Sequence, residues 1–363
     1  MEGLPDWLQE LMQLPEDEAR RTVGALAAEK TPESAQRLRL VEEAGPPALR
    51  KEARRALYRL RAAGVEIPPP KPALAATGPT RALISWVDRD GYKMVVCLVD
   101  RPSGGARFTR VLLGDEGIVQ AELTEMSPGQ LKRVMRDLAG PELRMVECPV
   151  PYAQRAVAEA ASRGMPDDPG ERGVAEAVVR TVGRPAEEVP HPAYGVLDPL
   201  AIKWDPDLLP STPRLLETEE IGSWVLPPDR VARWVERHEE MASSPLIVDP
   251  ATARARYRQL LGEAVRELFP PESLSSWRRR LEDMAYYFYR RKEERNARLA
   301  LAAALALGAG QDKAADGPGP GEAASAEIDS HPFLLALVEK SLQAASRHRE
   351  TGEERGRIIV PRR

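Results

Sequence analysis

Histidine and cysteine are the side chains best suited to metal binding and nucleophilic catalysis, and this chain of 363 residues has few of them. The histidines are His191, His238, His331 and His348, and the cysteines are Cys97 and Cys148. No two histidines have the spacing that places two ligands on one helix face, and the cysteines do not form a paired metal motif. The sequence therefore predicts no metal, no cofactor and no assigned catalytic residue.

Other sequence patterns that carry chemistry are also missing. The chain has no P-loop, no dinucleotide-binding glycine pattern after a strand and no nucleophile elbow. An enzyme of an unrecognised type remains a further alternative. It would require a deep pocket that gathers His191 or His238 with carboxylates, because proton transfer needs its donor and acceptor within hydrogen-bond reach.

Two groups of arginines are candidates for contact with nucleic acid. The first contains Arg278, Arg280 and Arg291, and the second contains Arg355 and Arg357 near the end of the chain. Cationic side chains bind phosphates and release counterions. Acidic residues lie beside both groups, and the net charge of −4 is unlike that of a chain whose main task is to coat nucleic acid. An RNA- or ribosome-associated factor is therefore an alternative function.

The composition of the chain favours helices in an intracellular protein. Only 5% of the residues are aromatic, so the cores must depend on aliphatic side chains, and alanine and leucine enter helices at little cost in side-chain freedom. The N-terminal segment lacks the pattern of a signal peptide. The longest apolar run, residues 299–307, is far shorter than the roughly 20 residues that span a bilayer. These features predict a cytoplasmic protein without membrane contact.

Residues 1–64 have the pattern of four helices separated by proline and glycine. The apolar positions of the fourth are Leu49, Ala53, Ala56, Leu57 and Leu60. Together with Arg50, which follows Leu49, this pattern at residues 46–64 resembles the second helix of a HEAT-type repeat and implies a HEAT-like helical module. Residues 65–80 contain three consecutive prolines, which predict an extended linker.

The hydrophobic period changes to two in residues 81–148, as expected for strands. Four alternating segments are separated by turn residues, and Asp90-Gly91 is typical of a tight β-hairpin. A helix begins after Ser127, and residues 143–148 could add a strand at the edge of the sheet. This segment predicts an antiparallel ββββα domain.

The remaining residues return to helical patterns. Residues 149–227 predict two helices and a Pro-rich wrapping segment, and residues 228–310 predict a helical module. Residues 311–327 lack large apolar residues, so residues 311–329 predict a disordered linker, and residues 330–363 predict a helix and a basic tail. The predicted fold class is α+β, mainly α, with helical N-terminal and C-terminal modules that flank a four-stranded antiparallel ββββα domain.

Apolar and small residues in the segment 278–308 recur at the spacing of a helical hairpin. They are Leu281, Met284, Ala285 and Phe288 in the first helix, and Ala297, Leu301 and Ala304 in the second. This pattern resembles a single tetratricopeptide (TPR) unit, a family in which two antiparallel helices approach closely through small residues. The resemblance implies a groove-facing surface on the first helix, formed by Arg279, Glu282, Tyr286, Tyr289 and Arg290.

Tyrosine and arginine are enriched at the energetic centres of protein interfaces. The leading functional prediction is therefore a non-catalytic adaptor or scaffold that binds a protein or peptide through helical-repeat-like surfaces. The sequence leaves open the identity of this partner, the oligomeric state and the role of residues 184–227.

Overall fold

The structure is a computed structural model that describes a mainly helical chain with one antiparallel sheet. The described residues are 5–65, 78–101, 105–187, 189–243, 249–312 and 328–354. Most of the predicted linkers at 65–80 and 311–329 lie outside these residues, as does the basic tail. The chain divides into two compact units, which are here called the first and second unit. The first comprises residues 1–80, 97–109 and 123–137, and the second comprises residues 81–96, 110–122 and 138–363.

The first unit contains the four helices that the sequence predicts for its N-terminal part. They are α1 (Asp6–Gln13), α2 (Glu16–Glu29), α3 (Pro32–Ala44) and α4 (Pro47–Ala62). Proline precedes or begins each of them, because its fixed φ suits the first helical turn and its missing N–H is not needed there. At α3, Thr31 and Ser34 form a capping box. The apolar positions expected for the HEAT-like helix all lie in the buried core of this unit.

The sheet has five strands, whereas the sequence prediction counted four. They are β1 (Arg81–Ile84), β2 (Lys93–Asp100), β3 (Ala106–Gly114), β4 (Gly117–Met126) and β5 (Val146–Cys148), in the order β4-β3-β2-β1-β5. The short strand β5 pairs with β1 in an antiparallel register that places Leu83 opposite Glu147. This pairing satisfies backbone groups of β1 that a four-stranded sheet would leave at its edge. Helix α5 (Pro128–Leu138) lies between β4 and β5 in the chain.

The second unit is built mainly from helices. These are α6 (Val150–Arg163), α7 (Pro169–Val182), α8 (Ala193–Val196), α9 (Pro199–Lys203), α10 (Leu208–Ser211), a 3₁₀ turn (Thr212–Glu217), α11 (Pro228–Ala242), α12 (Pro250–Leu268), α13 (Pro271–Arg290), α14 (Glu294–Asp312) and α15 (Pro332–Glu354). The Pro-rich segment 184–227 therefore contains short helices. Pro192 precedes α8, and at α9 Asp198 caps the backbone and Pro199 occupies the first turn.

Helices α13 and α14 form the hairpin that the TPR-like spacing predicts. Ala285 and Ala297 are both fully buried, as are Leu281, Met284 and Phe288. The turn between the helices places Lys292 at a positive φ of 64°, and the N–H of Glu293 donates to the carbonyl of Phe288. Among the described residues, no helix is both long enough and apolar enough to cross a membrane.

His331 is a buried histidine that joins two helices of the second unit. Its Nε2 lies 3.2 Å from the carbonyl oxygen of Ala303 on α14, and its Nδ1 accepts from the N–H of Leu334 at the start of α15. The ring is therefore neutral, with its proton on Nε2. Burial lowers the pKa of His331 to about 4.

We expect this histidine to make the second unit sensitive to acid. Its pKa in the folded state is below the unfolded value of 6.5, so its contribution to stability is complete above pH 6.5 and falls as the pH decreases toward 4. The drop in pKa corresponds to a loss of up to about 3 kcal/mol. Urea unfolding at several pH values should show a smaller acid loss for His331→Asn than for the parent chain. An identical acid loss in both proteins would contradict this prediction.

Candidate functional site

A buried aspartate on α13 holds together four separate segments of the second unit. The carboxylate of Asp283 accepts a hydrogen bond from Lys93 Nζ on β2 at 2.6 Å. It also accepts from the hydroxyl of Tyr152 on α6 and lies 3.1 Å from Nε2 of His191, which precedes α8. All four side chains are buried. We call these four residues the Asp283 network.

Local sequence places each donor of the Asp283 network. Lys93 begins β2 directly after a turn in which the Asp88 carboxylate accepts from two backbone N–H groups. Tyr152 lies in the first turn of α6. His191 is fixed because its Nδ1 accepts from the N–H of Ala193, which leaves the proton on Nε2 and directs it at Asp283.

The Asp283 network has a defined charge state. Burial alone would raise the pKa of the Asp283 carboxyl, but the charge of Lys93 and the hydrogen bonds from His191 and Lys93 outweigh this effect and hold its pKa well below the usual range. Burial and the negative charge of Asp283 raise the pKa of Tyr152 well above the usual value. The network therefore contains a carboxylate paired with the ammonium of Lys93, and a neutral phenol.

A narrow cleft with a volume of about 40 Å³ lies over this network in the second unit. Its walls come from α6, α13 and the β-turns near Gly91 and Gly114. Five positively charged and three negatively charged residues line it. They are Lys93, Arg155, Arg163, Arg279 and Arg280, with Asp115, Glu159 and Asp283.

The ion pairs in the cleft leave one arginine without a carboxylate partner. Glu159 is shared between Arg155 at 3.0 Å and Arg279 at 3.6 Å, and Asp115 pairs with Arg280. Among the described residues, no carboxylate lies at salt-bridge distance from Arg163, whose Nη2 donates to the carbonyl of Gly114 at 3.4 Å. Burial and the like charge of Arg279 lower the pKa of Arg163, and the negative charges of Glu159 and Asp115 offset only part of this effect.

The backbone of the β1–β2 turn is shaped to admit the guanidinium of Arg280. Gly91 has a φ of +84°, and a Cβ at this position would lie 2.1 Å from Nη2 of Arg280. The guanidinium also stacks on Trp277, with 4.8 Å between its Cζ and the ring centroid. Its Nε is buried and has no hydrogen-bond acceptor among the described residues. A buried donor without an acceptor costs free energy, so this N–H is a point of unsatisfied polarity beside the cleft.

The five residues predicted to bind a protein partner do not share one exposed surface. Arg279 lines the cleft, and Tyr289 and Arg290 are exposed. Glu282 and Tyr286 are buried: Glu282 accepts from Arg278 at 2.9 Å, and the hydroxyl of Tyr286 donates to the carbonyl of Glu147 at 3.1 Å.

The arginines predicted to contact nucleic acid are paired with acids where the structure describes them. Arg278 pairs with Glu282, Arg280 pairs with Asp115, and Arg291 lies 3.9 Å from Glu293. Arg355 and Arg357 lie outside the described residues.

The sequence interpretation considered His191 but not its partners Lys93, Tyr152 and Asp283. One signal was present in the strand pattern, because Lys93 is in phase with the buried residues Val95, Cys97 and Val99. A charged residue on a buried strand face requires an ionic partner. The pattern of β2 alone does not say where along the chain that partner lies.

Comparison with protein-family models, with curated proteins and with solved structures finds no match for this chain. In the part of the chain that the structure describes, no group of three or more His, Cys, Asp or Glu residues is arranged to hold a metal ion.

We expect Asp283→Asn to destabilise the second unit strongly. The substitution leaves the ammonium of Lys93 buried without its counter-charge, and breaking a buried ion pair in this way costs about 3–5 kcal/mol. The measurement is the free energy of unfolding in urea. As a control, Glu267→Gln removes one half of an exposed pair with Arg233 and should cost less than about 1 kcal/mol.

A double variant distinguishes the effect of breaking the ion pair from a general disruption of the fold. In the double variant Lys93→Met with Asp283→Leu, no buried charge is left unpaired, so part of the lost stability should return. If the double variant is as unstable as the sum of its two single variants, the interpretation of Asp283 as the counter-charge of Lys93 is wrong.

Proposed function

We propose that the second unit binds a small oxyanion in the cleft between α6 and α13. The observation that carries this proposal is the charge of the cleft lining, which contains four arginines but only two carboxylates besides Asp283. Among the described residues, no carboxylate lies at salt-bridge distance from one of these arginines, Arg163. An anion bound beside the arginines would offset their excess charge and accept charge-assisted hydrogen bonds.

The size of the cleft supports a small ligand or the end group of a larger one. A volume of 40 Å³ corresponds to about three water positions. That space suits a phosphate or carboxylate group and is too small to enclose a nucleotide. The planar guanidinium group matches both oxyanions because it can donate two parallel hydrogen bonds.

The geometry supports binding more strongly than acid–base catalysis. The cleft does gather His191 with a carboxylate, as the enzyme alternative requires, since 3.1 Å separate His191 Nε2 from Asp283 Oδ1. However, the Asp283 carboxylate already accepts from three side chains, and Tyr152 stays protonated because its pKa is raised. These contacts support a structural role of Asp283 and Tyr152 in the floor of the cleft.

Isothermal titration calorimetry with inorganic phosphate tests the proposal. We expect the parent chain to bind phosphate and Arg163→Gln to bind it at least about tenfold more weakly, which is the range for loss of a hydrogen bond to a charged group. Arg279→Gln should have a similar effect. Arg233→Gln removes an exposed arginine that does not line the cleft, and it should leave the affinity for phosphate unchanged. Absence of binding to the parent chain, or equal binding by Arg163→Gln, would falsify the proposal.

An adaptor that binds a protein or peptide is the second candidate. The observation that favours it is a pair of large apolar side chains on the surface: Leu200 on α9 is 67% exposed, and Trp204 at the end of the same helix is 77% exposed. Tryptophan is enriched among the residues that dominate binding energy. Exposed Tyr289 and Arg290 on α13 remain further candidates for partner contact.

Affinity capture from a cell extract tests the adaptor candidate. Trp204→Ala should reduce the yield of specific protein partners several-fold, whereas Val174→Ala, which shortens another exposed apolar side chain, should not. Equal capture by both variants argues against a role for Trp204. Nuclease treatment addresses the RNA- or ribosome-associated alternative, because partners that depend on nucleic acid are then lost.

A further inference from the structure

We infer that the ligand of the cleft is a dianionic phosphate group and that Glu159 is the internal counter-ion that this group displaces from Arg279. The inference rests on the proposed oxyanion function and names its ligand class. The phosphate group could belong to inorganic phosphate or to a small phosphate monoester. Phosphodiesters and monocarboxylates carry one negative charge and are the alternatives.

The charges that line the cleft favour a dianion. Lys93 and Asp283 neutralise each other in a buried pair at 2.6 Å. The remaining ionised groups are four arginines and the two carboxylates of Asp115 and Glu159, which leaves an excess of two positive charges. A phosphate monoester carries nearly two negative charges at neutral pH and balances this excess. A monocarboxylate would leave one positive charge uncompensated.

The arginines that line the cleft have more N–H groups without a good acceptor than a carboxylate has oxygen atoms. Arg280 Nε is buried and has no acceptor among the described residues. Arg155 Nε is buried as well, and it lies 3.0 Å from Glu159 without the alignment of a hydrogen bond. Arg163 donates only a long bond of 3.4 Å to Gly114. A phosphate group presents three strong acceptor oxygens to such donors, whereas a carboxylate presents two.

Glu159 is placed to compete with a bound anion for Arg279, and its own contact with Arg279 is weak. It lies on α6 one turn after Arg155, to which it is paired at 3.0 Å, and its contact with Arg279 on α13 is longer, at 3.6 Å. Its side chain is 36% exposed, so it can turn toward solvent. A bound phosphate can therefore pair with the guanidinium of Arg279 while Glu159 stays paired with Arg155. The negative charge of Glu159 should lower the affinity of the free cleft for anions.

Calorimetric titrations of the full chain at about pH 8, where the second proton of phosphate is largely lost, separate these ligand classes. The probes are inorganic phosphate, glycerol phosphate, dimethyl phosphate and acetate at one ionic strength. We expect inorganic phosphate and glycerol phosphate to bind at least about tenfold more tightly than the two monoanions. Tight binding of acetate or dimethyl phosphate would overturn the dianion assignment while leaving the oxyanion proposal intact.

The same titrations identify the source of the phosphate group. Glycerol phosphate binding that equals or exceeds inorganic phosphate binding supports a monoester ligand whose organic part lies outside the cleft. Binding of inorganic phosphate alone supports free phosphate. Loss of phosphate binding in Arg163→Gln is required in both cases, so failure of the proposed function can be told apart from failure of the ligand class.

The role of Glu159 is tested by Glu159→Gln, which keeps the shape of the side chain and removes its charge. We expect phosphate to bind about threefold more tightly to this variant, in the range for loss of a partly exposed ion pair. Glu267→Gln removes an exposed carboxylate that does not line the cleft and should leave the affinity unchanged. Weaker binding by Glu159→Gln would mean that Glu159 contacts the ligand directly and would overturn its role as a competitor.

Discussion

The structure of the second unit depends on the burial of one carboxylate. Removing the charge of Asp283 from water is unfavourable, and only the surrounding donors make it tolerable. Lys93, Tyr152 and His191 supply these donors from β2, α6 and the segment before α8. Because each donor must reach the same two oxygen atoms, the start of β2, α6 and α13 have to meet in one arrangement. The network thus contributes specificity of packing more than net stability.

The cleft follows from this arrangement. Once α6 and α13 are tied through Asp283, the arginines that project from the same helices are held close to one another. Four arginines then line one cleft, and Glu159 pairs with both Arg155 and Arg279. Concentrated positive charge in a confined space is destabilising for a folded chain unless an anion compensates it. A bound anion would therefore stabilise the cleft by compensating the excess positive charge of its lining.

The local patterns of the sequence predicted the helices and most of the strands well. The prolines at helix starts, the buried alanines of α13 and α14 and the alternation in β2 each act within a few residues. The short strand β5 was considered only as an addition, because three residues carry little periodic signal and its pairing depends on the free edge of β1. The predicted binding surface on α13 includes Glu282 and Tyr286, which are buried in the structure. Tyr194 contacts Glu282, and Glu147 contacts Tyr286. Helix periodicity cannot reveal such contacts, because these partners lie far from α13 in the sequence.

By itself, the sequence determined the long helices, the strands β1 to β4 and the position of Lys93 in phase with apolar residues of β2. These properties depend on local sterics and on the spacing of apolar residues, and both involve only residues that are close in the sequence. Only the tertiary structure decided that Lys93 meets Asp283, which lies 190 residues further along the chain, and that the arginines of α6 and α13 line one cleft. The spacing of charged residues along a sequence does not indicate which residues they pair with. The ion pairs are therefore decided only when the segments that carry the charges pack together.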